Sequence, residues 1–101
     1  MKSYTDKSVR DLPQRVNIKD GVITVSMCVG RSKVGEYSFD LSEWERAETY
    51  PTFNKEYNWH GLVASKYKAK YQKDYDENEA QGERIIDSQI MAIKKALEVT
   101  L

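Results

Sequence analysis

Residues 16–29, VNIKDGVITVSMCV, contain two runs of alternating apolar residues on either side of an Asp-Gly pair at 20–21. Asp-Gly between alternating runs is the pattern of a β-hairpin with a two-residue turn. Pairing outward from the turn places apolar side chains opposite each other on one face of the ribbon. The predicted pairs are Lys19 with Val22, Ile18 with Ile23, and Val16 with Val25.

A third strand is predicted to follow this hairpin. Residues 30–33 are polar and contain a glycine, which suits another turn. Over residues 34–41, Tyr37, Phe39 and Leu41 alternate with polar residues, so one face of the strand is apolar and the other is solvated. The sequence therefore predicts an antiparallel meander of three strands.

Two segments in the middle of the chain have helical features. Ser42 and Glu45 have the spacing of a capping box, which predicts a short helix over residues 42–49. Residues 62–75 fit two patterns. With a period of two residues they form a strand with lysines on one face, and with a period of 3.6 residues they form a helix with a stripe of tyrosines. We favour the helix because Ala, Lys and Gln are good helix formers, and the strand stays open as an alternative.

The carboxy-terminal segment has the clearest helical pattern. Its apolar stripe is formed by Ile86, Ile90, Ile93 and Leu97. We expect Asp76 to cap this helix, and Gly82 to delay its start or fray its first turns. The predicted fold is α+β: a three-stranded antiparallel meander, a C-terminal helix packed on one face, and one or two further helices between residues 42 and 75. All 101 residues are assigned to a single domain.

Composition restricts the functional classes. The 16 basic and 16 acidic residues cancel, so no global field attracts nucleic acid or an anionic membrane. Cys28 is the single cysteine, which rules out an intramolecular disulfide. No apolar stretch near the amino terminus resembles a signal or membrane anchor. The expected location is the cytoplasm, without membrane association.

The residue set contains no catalytic or metal-binding signature. With one histidine, His60, and one cysteine, a zinc site would depend mainly on carboxylates, which is unusual for that metal. Nothing near the serines resembles a nucleophile elbow. We therefore expect a non-enzymatic protein with no cofactor and no metal, and a partly exposed, hydrogen-bonded role for His60.

Acidic residues are concentrated in two stretches and provide the first candidate site. Clustered carboxylates can dock onto a basic protein surface, imitating spaced phosphates. The alternative is that they are the start of one helix and the solvated face of another. The candidate protein-binding residues are Glu43, Glu45, Glu48, Asp74, Asp76, Glu77, Glu79 and Glu83.

Lysines interleaved with tyrosines provide a second candidate site. Such a segment could meet phosphates with ammonium groups and stack bases on aromatic rings. Alternatively, the lysines form a solvated face and the tyrosines belong to the core. The candidate nucleic-acid-binding residues are Lys66, Tyr67, Lys68, Lys70, Tyr71 and Lys73.

The functional hypothesis that follows is a small binding or regulatory protein whose partner is another protein, bound partly through acidic patches. An inhibitor of a host nuclease, carried by a phage or mobile element, is a regulator of this kind; that choice rests on size and lack of motifs. The alternative hypothesis is a nucleic-acid-binding module that uses residues 66–73.

Overall fold

The computed structural model describes residues 2–29, 32–48 and 59–98. These residues form a single four-stranded antiparallel sheet, in the order β1-β2-β3-β4, and three helices. The α+β class is confirmed. The elements are β1 (Lys2–Asp6), β2 (Gln14–Lys19), β3 (Val22–Val29), β4 (Ser32–Asp40), α1 (Leu41–Glu48), α2 (Trp59–Glu77) and α3 (Glu79–Glu98).

The central hairpin has the register that its sequence predicts. Lys19 pairs with Val22, and the next two predicted pairs follow in step. Asp20 and Gly21 have φ angles of 53° and 76°, as the two central residues of a type I′ turn require. The inward apolar residues Val16, Ile23 and Val25 are almost fully buried, so this face is the floor of the core.

The prediction of three strands is wrong, because residues Lys2–Asp6 add a fourth strand at the edge of the sheet. By its register with β2, this strand turns Lys2, Tyr4 and Asp6 toward the side of the core. Two of these three residues are charged, so hydrophobic alternation could not reveal the strand. Its inward side is held by polar contacts instead.

Helix α1 begins one residue earlier than its predicted cap. Leu41 is already helical, and its backbone N–H donates to the carbonyl oxygen of Gly21 at 2.8 Å. Ser42 therefore lies inside the first turn. Trp44 packs in the core and stacks on Trp59 of α2 with ring centroids 4.7 Å apart. The predicted end of this helix at Thr49 lies outside the described residues.

Residues 62–75 are helical, which settles the choice between strand and helix. They belong to α2, whose buried side chains include Val63, Ala64 and Tyr67. The stripe continues through Tyr71 and Tyr75, which are partly buried against the core. At Tyr71 the backbone (φ −127°, ψ 35°) departs from helical values and the helix kinks.

Helix α3 lies across the sheet, and its predicted apolar stripe faces the core. Ile86 and Ile93 are fully buried, while Ile90 and Leu97 pack at the margin. The predicted cap at Asp76 is wrong, since α2 extends through Glu77. The Oδ1 atom of Asn78 caps α3 instead, accepting from the backbone N–H of Gln81 at 3.1 Å.

A buried polar network also joins α3 to the sheet. Ser88 donates to Asp6 of β1 at 2.7 Å. Gln89 donates to the side chain of Gln14 at 2.9 Å and accepts from the hydroxyl of Tyr37 at 2.8 Å. Burial acts to raise the pKa of Asp6, but hydrogen bonds from Ser8 and Ser88 outweigh it and leave the pKa below its ordinary value.

Candidate protein-binding surface

Four carboxylates lie together where α2 turns into α3, with Asn78 as the connecting residue. We call this group the acidic corner, and it consists of Asp74, Asp76, Glu77 and Glu79, all of which are exposed. Among the described residues none of the four forms an ion pair. Asp76 accepts a hydrogen bond from the side chain of Gln72 at 2.8 Å, which leaves its charge uncompensated.

Three members of the acidic corner occupy an electrostatically poor position. Asp74, Asp76 and Glu77 form the last turn of α2, and no basic residue lies in that turn. Acidic side chains at a helix C-terminus cost roughly 0.3–1 kcal/mol each at low ionic strength, although the nearby N-terminus of α3 offsets part of this. The alternative interpretation, that these carboxylates stabilise the start of a helix, therefore applies only to Glu79, in the first turn of α3. Local helix stability does not explain why Asp74, Asp76 and Glu77 are acidic.

Glu83, the last acidic residue of the predicted site, has a different role. Its carboxylate lies 2.9 Å from Nε2 of His60 and accepts from the hydroxyl of Tyr75 at 2.7 Å. The hydrogen bond from Tyr75, followed by that from His60, holds the pKa of Glu83 below its ordinary value. The same bond raises the pKa of Tyr75 to about 12. Glu83 thus joins α2 to α3.

The acidic residues of α1 are separate from the acidic corner in sequence and partly neutralised. Glu43 forms an ion pair with Lys66 of α2 at 3.5 Å. Glu45 is exposed. The side chain of Glu48 lies outside the described part of the structure. The structure therefore pairs one acidic candidate with one of the basic candidates.

The lysines and tyrosines of residues 66–73 largely contact the protein itself. Tyr67 is 2% exposed, so its ring is not available for stacking on a base without rearrangement. Lys68 lies over the ring of Tyr75 at 4.2 Å, and Lys70 donates to the backbone carbonyl of Glu36. Tyr71 packs against β4, where a Cβ atom at Gly35 would overlap its hydroxyl. Lys73 is exposed.

A pocket of about 300 Å³ opens beside the acidic corner, and we call it the corner pocket. It lies between the helical hairpin of α2 and α3 and the adjacent ends of β3 and β4. Its apolar walls are formed by Leu12, Met27, Val34, Tyr67, Tyr71 and Ile85. Its polar lining residues are Asp74, Asn78 and Gln81. The acidic corner and an apolar recess therefore share Asp74.

The charge of Asp74 reaches into the corner pocket. Burial raises the pKa values of Tyr67 and Tyr71, and the negative charge of Asp74 raises both further. The hydroxyl oxygen of Tyr71 is buried and has no hydrogen-bond partner among the described residues. The two phenols therefore stay neutral and give the pocket an uncharged wall next to one carboxylate.

The corner pocket was not predicted from the sequence, because its walls come from five segments of the chain that have no shared local pattern. The kink at Tyr71 also has no evident signal in the sequence. His60 does not line the pocket. In the ranges 2–29, 32–48 and 59–98, no group of three or more His, Cys, Asp or Glu residues is arranged to hold a metal ion. None of the helices described there is long and apolar enough to cross a membrane.

Comparison of the chain with protein-family models, with curated proteins and with solved structures finds no match. The acidic corner and the corner pocket are therefore the features from which a function can be inferred.

Proposed function

We propose that this protein is a non-enzymatic binding protein that recognises a basic surface of another protein through the acidic corner. The observation that supports this most directly is the position of Asp74, Asp76 and Glu77. They are exposed, they lack ion pairs within the described residues, and they occupy the end of α2. Carboxylates in such an array give a local negative potential that attracts and orients a basic partner.

A protein that itself binds nucleic acid fits this chemistry, because its phosphate-binding surface is an array of Lys and Arg. Spaced carboxylates can occupy such an array and block it. If the partner is a nuclease, binding of this kind inhibits it, which is the regulatory function suggested in the sequence analysis. Nucleic acid as the direct partner has less support, because Tyr67 is buried and Lys66, Lys68 and Lys70 contact other residues of the chain.

The proposal can be tested by capture of a partner from cell lysate with the full chain, followed by affinity measurements on the purified partner. We expect a basic protein whose affinity falls as salt rises. Charge reversal by Asp76→Lys with Glu77→Lys should weaken binding at least about tenfold, or roughly 1.4 kcal/mol. Glu83 is left unchanged because its reversal would break the contact between α2 and α3.

The matched control is Asp87→Lys with Glu98→Lys, which changes the net charge equally on exposed positions of α3. It should alter the affinity less than about twofold, since distant exposed charges are screened. Equal loss in both double variants, or capture of no basic protein, would contradict the proposal. A salt-sensitive gel shift with DNA or RNA that Lys73→Glu abolishes would favour the nucleic-acid alternative.

A further inference from the structure

The corner pocket adds an apolar recess to the acidic corner. Its walls are mainly apolar, and the volume of about 300 Å³ is enough for one large side chain. Val34, at its edge, is 52% exposed, and this is a large exposed fraction for a valine in a strand. A partner residue that entered here would bury apolar surface on both sides of the contact.

The polar groups around the corner pocket differ in what they can still bind. Asn78 uses its Oδ1 atom to cap α3, and Gln81 uses its Oε1 atom to accept from Arg84 at 3.1 Å. The carboxylate of Asp74 forms neither an ion pair nor a side-chain hydrogen bond within the described residues. A ligand therefore meets apolar walls inside the pocket and one unsatisfied negative charge beside them.

From this arrangement we infer that the corner pocket receives one apolar side chain of a basic protein segment. The anchor is a Leu, Ile, Met or Phe, and Lys or Arg residues next to it contact Asp74 and the rest of the acidic corner. Consecutive residues of an extended segment are about 3.8 Å apart at Cα, so cations one or two positions away reach the acidic corner. This inference rests on the proposed function and specifies the partner's recognition sequence.

The expected contribution of the anchor follows from its burial. Full burial of such a side chain strengthens binding about tenfold to a hundredfold. The flanking cations add attraction that depends on salt. A segment with cations alone should therefore bind weakly, and one with the anchor alone should bind with little salt dependence.

The test is selection of peptides from a random display library on the immobilised full chain. The selected peptides should carry a recurrent apolar position with Lys or Arg within two residues. The purified peptides are then titrated against variants with a blocked pocket. Val34→Trp fills the pocket from an exposed position, and Gln81→Trp is a second blocking variant in case the first does not fold.

The matched control is Met91→Trp, which adds the same bulk at a position 45% exposed on α3 and outside the pocket. We expect a loss of at least about tenfold with either blocking variant and less than about twofold with the control. Nuclear magnetic resonance provides a test without any substitution. Peptide addition should shift the methyl signals of Leu12, Val34 and Ile85, and unchanged signals would overturn the inference.

The outcomes separate the two proposals. Basic peptides without a recurrent apolar position, or binding that ignores both blocking variants, overturn the pocket inference and leave the acidic corner in place. Selection of no basic peptides, or binding that Asp76→Lys with Glu77→Lys does not change, overturns both.

Discussion

The absence of a side chain at position 82 decides how closely α2 and α3 approach each other. A Cβ atom on Gly82 would lie 2.5 Å from Cδ2 of Tyr75, well inside van der Waals contact. Tyr75 is held in place by its hydrogen bond to Glu83. The ring therefore cannot withdraw without breaking a contact between the helices. Here the glycine serves close packing, although in the sequence it resembles a helix-weakening residue.

We expect Gly82→Ala to lower the free energy of unfolding by about 1–3 kcal/mol, the usual cost of overpacking. At an exposed helical position the same change would raise it by about 1 kcal/mol. Urea unfolding distinguishes the two signs. In a Tyr75→Leu background the steric conflict is relieved, so Gly82→Ala should then become neutral or stabilising. A more stable Gly82→Ala single variant would contradict this account of the contact.

The bond between Tyr75 and Glu83 makes stability depend on pH at both ends of the scale. The pKa of Glu83 is lowered from 4.5, so its contribution is present above that value and is lost as pH falls through the folded pKa. The pKa of Tyr75 is raised from 10.0 to about 12, so its contribution is present below pH 10 and is lost as pH rises through 12.

We expect Glu83→Gln to lower the free energy of unfolding at neutral pH. It should also reduce the further decrease of that free energy at acidic and at alkaline pH. Tyr75→Phe should remove the decrease in stability at alkaline pH. It should only reduce the decrease at acidic pH, because the ring nitrogen of His60 still contacts Glu83. Urea unfolding across the pH range measures both effects. Asp87→Asn, at an exposed position that forms no ion pair within the described residues, is the control. A profile for Glu83→Gln parallel to that of the wild type would show that the bond carries no pH dependence.

At the scale of elements, the docking of α3 combines an apolar stripe with specific hydrogen bonds. Ile86 and Ile93 are fully buried, and burial of this kind supplies most of the driving force. Apolar contact is not directional, however, and it would tolerate small rotations or shifts of the helix. The hydrogen bonds of Gln89 to Gln14 and Tyr37 favour one position over these neighbours.

We expect Gln89→Leu to lower the free energy of unfolding by roughly 2–4 kcal/mol, because the buried Gln14 and the half-buried Tyr37 each lose a hydrogen bond. The double variant Gln14→Leu with Gln89→Leu should recover part of this loss, since fewer buried polar groups then stay unpaired. Chemical denaturation of the two single variants and the double variant gives the coupling. Strict additivity of the two single effects would argue against a shared network.

The elements themselves were partly predictable. The hairpin of residues 16–29 was predicted with its register because turn and alternation lie within these fourteen residues. The stripe of α3 was predicted for the same reason. For α2 the local pattern allowed a strand or a helix. The structure shows a helix in which Tyr67 is buried, with a kink at Tyr71. The acidic candidate residues stay a prediction, and the sequence held no signal that Glu43 pairs with Lys66 or Glu83 with His60.

At the scale of the whole molecule, β1 closes one side of the core. It pairs with β2 along its full length and supplies the buried carboxylate of Asp6 to Ser88 of α3. Ser88 and Asp6 are 82 positions apart in sequence. The strand therefore ties one end of the described chain to the other, which is unexpected for a segment without apolar alternation.

Deletion of residues 2–6 should lower the free energy of unfolding by more than about 3 kcal/mol, a large share of the roughly 5–15 kcal/mol typical of a folded domain. The reason is that an inner strand becomes an open edge and Ser88 loses its partner. Thermal and urea unfolding measure the loss. The variant Asp6→Asn isolates the carboxylate and should cost less. If the deletion lowers the free energy of unfolding no more than Asp6→Asn does, β1 contributes nothing to stability beyond the carboxylate of Asp6.

The sequence by itself determined the central hairpin with its register, the third strand of the meander and the inward stripe of the C-terminal helix. Each depends on turn chemistry or periodicity within a short window. Tertiary structure alone decided the strand at residues 2–6, the pairing of Glu83 with His60 and Tyr75, and the pocket beside Asp74. These features arise from contacts between residues distant in the chain, and a local sequence pattern does not specify which distant residues come into contact.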